Sequence, residues 1–302
     1  MKAHSLFIML VMIFFSVSCT KEVSREQDDD PVVDSPADTL SVQKEKFLKR
    51  LVYYEENSPG DSTVNTYTYD QNKKIVSITT ESFGPGLKNT YYSNTEHIFY
   101  RDADGVVNRI TIIDKYYEGE LFLRIDSSVL QLVHDPVSKH YTSCIETINL
   151  VPIDPVQDNK ISDSVMYTYD AKDHIVLYQR FRKDASTNIV FEAQRFENTY
   201  DVKGNIVKIL FNENFDNDGY PLSEVVLEYD DKKNPFASFG NDAHLMGIYS
   251  IGIPSRNNAI KQFSNGVELG VMNYSYDMDD YPVKAEEIYD SPLGKATSYF
   301  YY

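Results

Sequence analysis

Oxygen-bearing side chains alternate at Asn214, Asp216 and Asp218, just before Gly219, and this spacing could bind a metal ion. Calcium loops place oxygen ligands at alternate positions, bend at a glycine and close on a bidentate acid at position twelve. Here that closing position is Val225, and aspartate-rich turns are also common between strands. We therefore expect a plain turn and no metal or other cofactor, with these three residues as the only calcium candidate.

Serine, histidine and lysine residues form no recognisable catalytic pattern. The sequence contains no His-Glu-x-x-His, no Gly-x-Ser-x-Gly and no phosphate-binding glycine loop. Ser41 and Lys44 match a Ser-x-x-Lys pattern, but they lie in or beside a segment that cannot orient them. Two acids that meet in space, as in glycoside hydrolases, leave no signature in sequence. We expect no catalytic residues, and a glycan hydrolase with paired carboxylates is the enzymatic alternative.

The N-terminal residues have the features of an export signal followed by a lipid attachment site. A basic start precedes ten consecutive apolar residues, 6–15, which are too few to span a bilayer but suit a secretory signal. The following Ser-Val-Ser-Cys, ending at Cys19, resembles the bacterial lipobox, although Ser16 stands where that motif usually has leucine. In that class of signals the cysteine is acylated and the preceding peptide is removed. We expect residues 1–18 to be a signal peptide and Cys19 to carry lipid; an ordinary signal peptide with an incidental cysteine is the alternative.

The stretch from residue 19 to 43 is acidic and poor in large apolar side chains. Seven acids and two prolines fall between Thr20 and Ser41, so this stretch cannot bury enough surface to fold and is typical of a flexible tether. Acids after a lipidated cysteine also resemble the surface-export signal of Bacteroidota lipoproteins. We expect the acyl chains on Cys19 to anchor the protein in outer-membrane lipid, facing outward, with a periplasmic orientation as the alternative.

The composition limits the partners of the chain. Its formal charge of −17 repels nucleic acid and anionic lipid headgroups, so we expect no nucleic-acid partner. The 24 tyrosines and 16 phenylalanines, with no tryptophan, suit half-buried sheets. Cys144 would be the only cysteine besides Cys19, and we expect it to be a small buried hydrophobe.

A short pattern recurs six times: a tyrosine, usually an aspartate, then turn-forming residues and an apolar strand start six places after the tyrosine. Neighbouring copies are 31, 69, 31, 29 and 47 residues apart, which corresponds to hairpins of about 30 residues. An apolar residue two places before most of these tyrosines gives the period of a strand. The signature tyrosines are Tyr69, Tyr100, Tyr169, Tyr200, Tyr229 and Tyr276.

The repeats predict one all-β domain over residues 44–302. We expect an antiparallel meander of roughly 12–16 strands built from these Tyr-Asp hairpins, forming a curved open sheet or a barrel-like wrap. Outside the repeats we expect strands at 120–133, 139–150, 248–253, 261–272 and 299–302, a loop at 152–163, and a short helix or irregular crossing at 236–246.

Two segments resemble known families. Tyr-Asp-x-x-Gly-Asn-Ile-Val at residues 200–207 resembles the Tyr-Asp (YD/RHS-like) repeat of large bacterial toxin shells, but six copies are too few to enclose a cargo. Tyr-Asp-Asp-Lys-Lys-Asn-Pro-Phe at 229–236, followed by Ser-Arg-Asn-Asn at 255–258, resembles an uncharacterised family of Bacteroidota lipoproteins with a porin-like β fold. This resemblance covers residues 45–302 and implies a fold without implying an activity.

These observations leave three roles open. We expect a non-catalytic, lipid-anchored surface protein that binds a protein or a glycan, for example at an exposed sheet edge. A glycan hydrolase and a purely structural envelope protein are the alternatives. A membrane-spanning barrel is disfavoured because charged residues at 73–74, 180–183, 192–195 and Lys261 interrupt any lipid-facing row.

Overall fold

The chain folds into a closed β-barrel. The structure is a computed structural model that describes residues 45–55, 61–85, 90–119, 121–149, 160–183, 188–213, 222–242, 245, 255–289 and 294–302. Sixteen strands follow one another around the barrel, and each is antiparallel to its neighbours. The first strand pairs with the last, Arg50 opposite Tyr301, so the barrel has no open side. The all-β prediction is confirmed at the upper end of its strand range, and the barrel-like alternative is the correct one.

The strands are β1 (Arg50–Glu55), β2 (Ser62–Tyr69), β3 (Ile75–Pro85), β4 (Thr90–Arg101), β5 (Val107–Glu118), β6 (Leu121–His134), β7 (Tyr141–Asn149), β8 (Lys160–Tyr169), β9 (Ile175–Lys183), β10 (Val190–Tyr200), β11 (Ile206–Glu213), β12 (Ser223–Tyr229), β13 (Ala259–Ser264), β14 (Val267–Tyr276), β15 (Pro282–Tyr289) and β16 (Lys295–Tyr301).

Two predicted elements need correction. The strand expected at 261–272 is a hairpin, in which Asn265 and Gly266 both have positive φ and form the turn between β13 and β14. Asn-Gly is the dipeptide most typical of such two-residue turns. The loop expected at 152–163 ends earlier, because β8 begins at Lys160. The strand expected at 248–253 lies outside the described residues, whereas the two long strands β6 and β7 are confirmed.

The aspartate of the repeat stabilises its turn by accepting two backbone hydrogen bonds. Oδ1 of Asp70 accepts from the N–H groups of Asn72 at 2.8 Å and Lys74 at 2.9 Å. The same two bonds recur in the turns after β4, β8, β10 and β14. The residue three places after the aspartate has positive φ in all five turns, at Lys73, Gly105, Asp173, Gly204 and Asp280. Because these hydrogen bonds join residues that are close in sequence, the repeat can be recognised from the sequence alone. We call the end of the barrel that carries these turns the turn end.

The described part of the connection between β12 and β13 reaches across the inside of the barrel at the turn end. It contains a 3-10 helix, Pro235–Asp242, which confirms the predicted short helix or crossing. The ring of Phe239 lies 5.6 Å from that of Tyr67 and 6.2 Å from that of Tyr69, on the far side of the barrel. Side chains that pack with Phe239 therefore face inward, and their neighbours along each strand face outward.

The interior at the turn end is apolar and closely packed. Its fully buried side chains include Ile110, Leu130 and Val165 from three different strands. Cys144 belongs to the same cluster and is completely buried, and burial raises the pKa of its thiol to about 12. The prediction of Cys144 as a buried hydrophobe is thus confirmed. The turn end is closed by this core together with the crossing connection.

Candidate functional site

The signature tyrosines join neighbouring hairpins at the turn end. The hydroxyl of Tyr200 donates to the carbonyl oxygen of Ile175 at 3.0 Å, and that of Tyr229 donates to Ile206 at 2.7 Å. Each acceptor is the first residue of the second strand in the preceding hairpin. The hydroxyl of Tyr69 likewise reaches back to Leu48, at 2.6 Å. These tyrosines hold the barrel together and are not arranged as a catalytic site.

The remaining signature tyrosines make different contacts. Tyr276 donates to the carboxylate of Asp230, and the ring of Tyr169 stacks on His140 with centroids 4.1 Å apart. Tyr100 is different, because its strand bulges one residue later and Arg101 occupies the tyrosine position. Nη2 of Arg101 donates to the carbonyl oxygen of Ile75 at 2.9 Å.

The ring of Tyr100 lies outside this set of contacts. Tyr100 is 37% exposed, and the guanidinium carbon of Arg109 lies over its ring, 3.8 Å from the ring centroid. The repeat in this copy is therefore shifted by one residue from its expected alignment. Tyr100 is not equivalent to the other signature tyrosines.

One further copy of the repeat escaped the sequence pattern, and so did one tyrosine that makes the same kind of contact without an aspartate turn. Asp135 accepts the N–H groups of Val137 and Ser138 at 3.0 and 2.7 Å, in a turn one residue longer than the others. His134 takes the tyrosine position, with Nε2 2.8 Å from Asp102. The last residue, Tyr302, donates to the carbonyl oxygen of Pro282 at 2.9 Å. A search for any hydrogen-bonding residue before the aspartate would have found the copy at Asp135.

Beyond the apolar core, the inner wall of the barrel becomes polar. Asn65, Thr80, Thr95, Asp114 and Asp126 are successive partners across β2 to β6. Thr80 donates to Asn65 at 2.7 Å, and Thr95 donates to Asp114 at 2.6 Å. A row of this composition can bind polar ligands or support acid–base chemistry.

Further around the same wall, arginines neutralise buried acids. Arg180 Nε lies 2.7 Å from Asp163 and also pairs with Glu146, and Arg182 Nη2 lies 2.8 Å from Asp163. Asp163 and Glu146 are almost completely buried. Arg180 and Arg182 therefore face inward, which corrects their expected place on the outer wall.

One pair of inward-facing acids is relevant to the enzymatic alternative. Asp114 and Asp126 are directly opposite each other on β5 and β6, so their Cβ atoms lie about 5 Å apart. Burial raises the pKa of Asp114, whereas Asp126 has Arg124 Nε at 3.2 Å. Different environments for two neighbouring carboxyls are typical of acid–base pairs.

The rim opposite to the turn end is uneven. Among the described residues, strand β6 pairs with β5 from Leu121 onward but with β7 from Ser127 onward. We call the projecting ends of β3 to β6 the tongue, residues 83–85, 90–94, 115–118 and 121–126. Large apolar side chains of the tongue are exposed by 64% at Leu121, 50% at Phe122, 45% at Leu123 and 40% at Ile125.

The outer wall carries charge pairs in the middle of its strands. Arg195 lies 3.3 Å from Glu192 and 2.7 Å from Glu197, on the face opposite to the core residue Phe196. Comparable pairs join Lys208 with Glu224 and Lys284 with Glu286. A lipid-facing wall has an apolar band free of such charges, so this wall suits contact with water.

Several predicted site residues lie outside the described residues: Cys19, Ser41, Lys44, Asn214, Asp216 and Asp218. Within the described ranges, no group of three or more His, Cys, Asp or Glu side chains could hold a metal ion. The helices of the described chain include none that is long and apolar enough to cross a bilayer.

Comparisons with known proteins show which proteins have a similar fold. No family model and no curated protein matches the chain. A porin-like protein from Bacteroides uniformis is similar in structure, with a TM-score of 0.54, 11% identity, and coverage of 84% of this chain and 97% of that one. A porin-like protein from Bacteroides vulgatus matches 85% of this chain and 98% of its own with 13% identity, at a TM-score of only 0.23. The first similarity shows that the chain has a porin-like β fold, as its sequence resemblance implied.

Proposed function

We propose that the protein is a non-catalytic, lipid-anchored β-barrel of the outer-membrane surface that binds a protein or a glycan through its tongue. The observation that carries this proposal is the run of exposed apolar side chains on β6 of the tongue, at Leu121, Phe122, Leu123 and Ile125. Exposed apolar side chains that adjoin one another mark interaction sites in soluble proteins. Single apolar side chains are exposed elsewhere on the described rim, at Val190, Leu222 and Val267, but the tongue has four of them within five positions of one strand. The outer wall carries charge pairs.

The path of the chain supports this choice of surface. The described chain begins at the turn end, where Lys46 Nζ lies 2.8 Å from Asp277 and 2.7 Å from Asp279. A tether from lipid on Cys19 would join the barrel at this end. The opposite rim, with the tongue, would then point away from the membrane and toward partners outside the cell.

Strand addition is not part of the proposal. The closed barrel pairs every strand on both sides. Among the described residues, the stretch of β6 before Ser127 pairs with β5 but not with β7, and this stretch belongs to the tongue itself. Side-chain contacts, and not a bare sheet edge, therefore account best for binding.

The test is a binding screen of the purified full-length chain against arrayed extracellular proteins and glycans, with analysis of the products of every bound glycan. The double variant Leu121→Ser/Leu123→Ser should lose the binding that the natural chain shows. Val137→Ser, an 88% exposed position at the turn end, is the matched control and should keep it. If the double variant still binds, the tongue is not the binding surface. If the natural chain binds none of the arrayed molecules, a structural envelope role is favoured.

A glycan hydrolase remains the second candidate because Asp114 and Asp126 form a suitable pair on the inner wall. In that case the natural chain would release products from a bound glycan. Asp114→Asn would abolish turnover while binding persisted. Binding without products would exclude this candidate for the glycans tested.

A further inference from the structure

Four aromatic rings form a continuous row across the outer face of the tongue. Phe83, Tyr92, Tyr117 and Phe122 are successive partners on β3, β4, β5 and β6. Their ring centroids are 5.0, 5.2 and 5.6 Å apart in that order. Phe122 is 50% exposed and the other three are partly exposed. The register of four strands therefore produces a ribbon of rings on the surface.

A second row lies beside the rings on the same face, two residues closer to the turn end on β3 to β5 and three on the bulged β6. Glu81, Asn94, Lys115 and Ile125 are its successive partners across the same four strands. The hydroxyl of Tyr92 donates to Oε1 of Glu81 at 2.9 Å, which ties the two rows together. A carboxylate, an amide and an ammonium group thus accompany the aromatic row.

This combination matches the chemistry of a sugar chain. The C–H faces of sugar rings pack on aromatic faces, while their hydroxyls both donate and accept hydrogen bonds. The carboxylate of Glu81 accepts, the ammonium of Lys115 donates, and Asn94 does both. A row of several rings suits a linear chain better than a single small sugar.

Other occupants fit this face less well. A lipid surface would have to desolvate Glu81 and Lys115, which is costly. Nucleic acid is repelled by the charge of −17 on the chain. A protein partner could cover the aromatic row, and the experiment below distinguishes this case.

We propose that the aromatic row of the tongue binds a linear, neutral polysaccharide, with sugar rings on Phe83, Tyr92, Tyr117 and Phe122 and their hydroxyls bonded to Glu81, Asn94 and Lys115. This inference rests on the proposed function and names the class of ligand. It assigns the outer face of the tongue, and not the inner wall of the barrel, to the ligand.

The test uses the full-length chain in detergent, titrated with xylan, mixed-linkage β-glucan, linear α-mannan and amylose. The chain has no tryptophan, so its emission comes from tyrosine and should change when sugar covers Tyr92 and Tyr117. At least one polysaccharide should bind. Tyr117→Ala and Phe122→Ala should each weaken binding about tenfold.

Two variants control for folding and for unspecific loss of aromatic surface. Tyr117→Phe keeps the ring and should bind nearly as tightly as the natural chain. Tyr301→Ala removes an aromatic residue that is 49% exposed on β16, outside the row, and should leave binding unchanged.

Two outcomes would overturn the inference. The first is that none of the four polysaccharides binds to the natural chain. The second is that Tyr117→Ala and Phe122→Ala bind as tightly as it does. If a protein ligand is found instead and depends on Leu121 and Leu123, this inference fails while the proposed function stands.

Discussion

Nη2 of Arg101, at the end of β4, lies 2.5 Å from Oδ2 of Asp242, at the end of the 3-10 helix that crosses the barrel. Both side chains are largely buried, and Asp242 also accepts the hydroxyl of Tyr141 at 3.3 Å. This ion pair joins the crossing connection to the wall on the far side. It is the described contact that most directly closes the turn end.

Breaking this pair should destabilise the barrel. Arg101→Ala leaves Asp242 buried without its cation and should lower the free energy of unfolding by about 3 kcal/mol. Urea denaturation measures this loss. The double variant Arg101→Met/Asp242→Leu removes both charges and should recover most of the stability, whereas equal losses in the single and double variants would contradict this account.

His97 should make stability depend on pH. It faces inward between Ile78 and Ile112 on the neighbouring strands, and burial lowers its pKa to about 4. An unfolded histidine binds a proton near pH 6.5. Between these values only the unfolded chain is protonated, so stability should be lost as pH falls from 6.5 to 4, by about 3 kcal/mol in total.

The variant His97→Phe should remove this pH-dependent component. Thermal unfolding of both chains at a series of pH values from 7 to 4 measures it. The variant should show a flatter dependence in this window. Parallel curves for the two chains would rule out His97 as the cause.

Tyr200 should contribute through both its hydroxyl and its ring. Tyr200→Phe loses the hydrogen bond to Ile175 and should cost about 1 kcal/mol. Tyr200→Ala also removes a ring stacked on His174 with centroids 4.3 Å apart, and should cost about 3 kcal/mol. Tyr301→Phe, at an exposed ring, is the control for both in the same denaturant experiment and should change little.

Cys19 should determine where the protein resides. With Cys19→Ala the acyl chains cannot be attached, so the protein should leave the membrane fraction and change its electrophoretic mobility. Fractionation of cells that express each form measures this. A variant that stays in the membrane fraction with unchanged mobility would disprove lipidation, and protease treatment of intact cells then reports the orientation of the natural chain.

Turns could be predicted from this sequence because their determinants are local. Asp70 and its equivalents cap residues two and four places ahead, so the pattern is visible within seven letters. Where the same contact uses a different residue, the pattern fails. Arg101 and His134 make hydrogen bonds in place of tyrosine, and a search by residue type misses both.

Contacts between distant strands left no comparable signal. The pairing of Arg50 with Tyr301 joins residues about 250 positions apart, and no short pattern encodes it. The aromatic row likewise depends on the register of four strands, although each ring by itself is an ordinary tyrosine or phenylalanine. The sequence identifies the buried residues of the inner wall as acids, but it does not show that they are buried or paired with arginine, because that pairing depends on the fold.

Closure of the barrel by β1 and β16 makes the order of synthesis matter. The N-terminal strand is made first and has no partner on one side until the C-terminal strand is complete. A stop codon before Lys295 would therefore do more than shorten the protein. It would leave β1 and β15 each with a bare edge, ready to pair with another copy and aggregate.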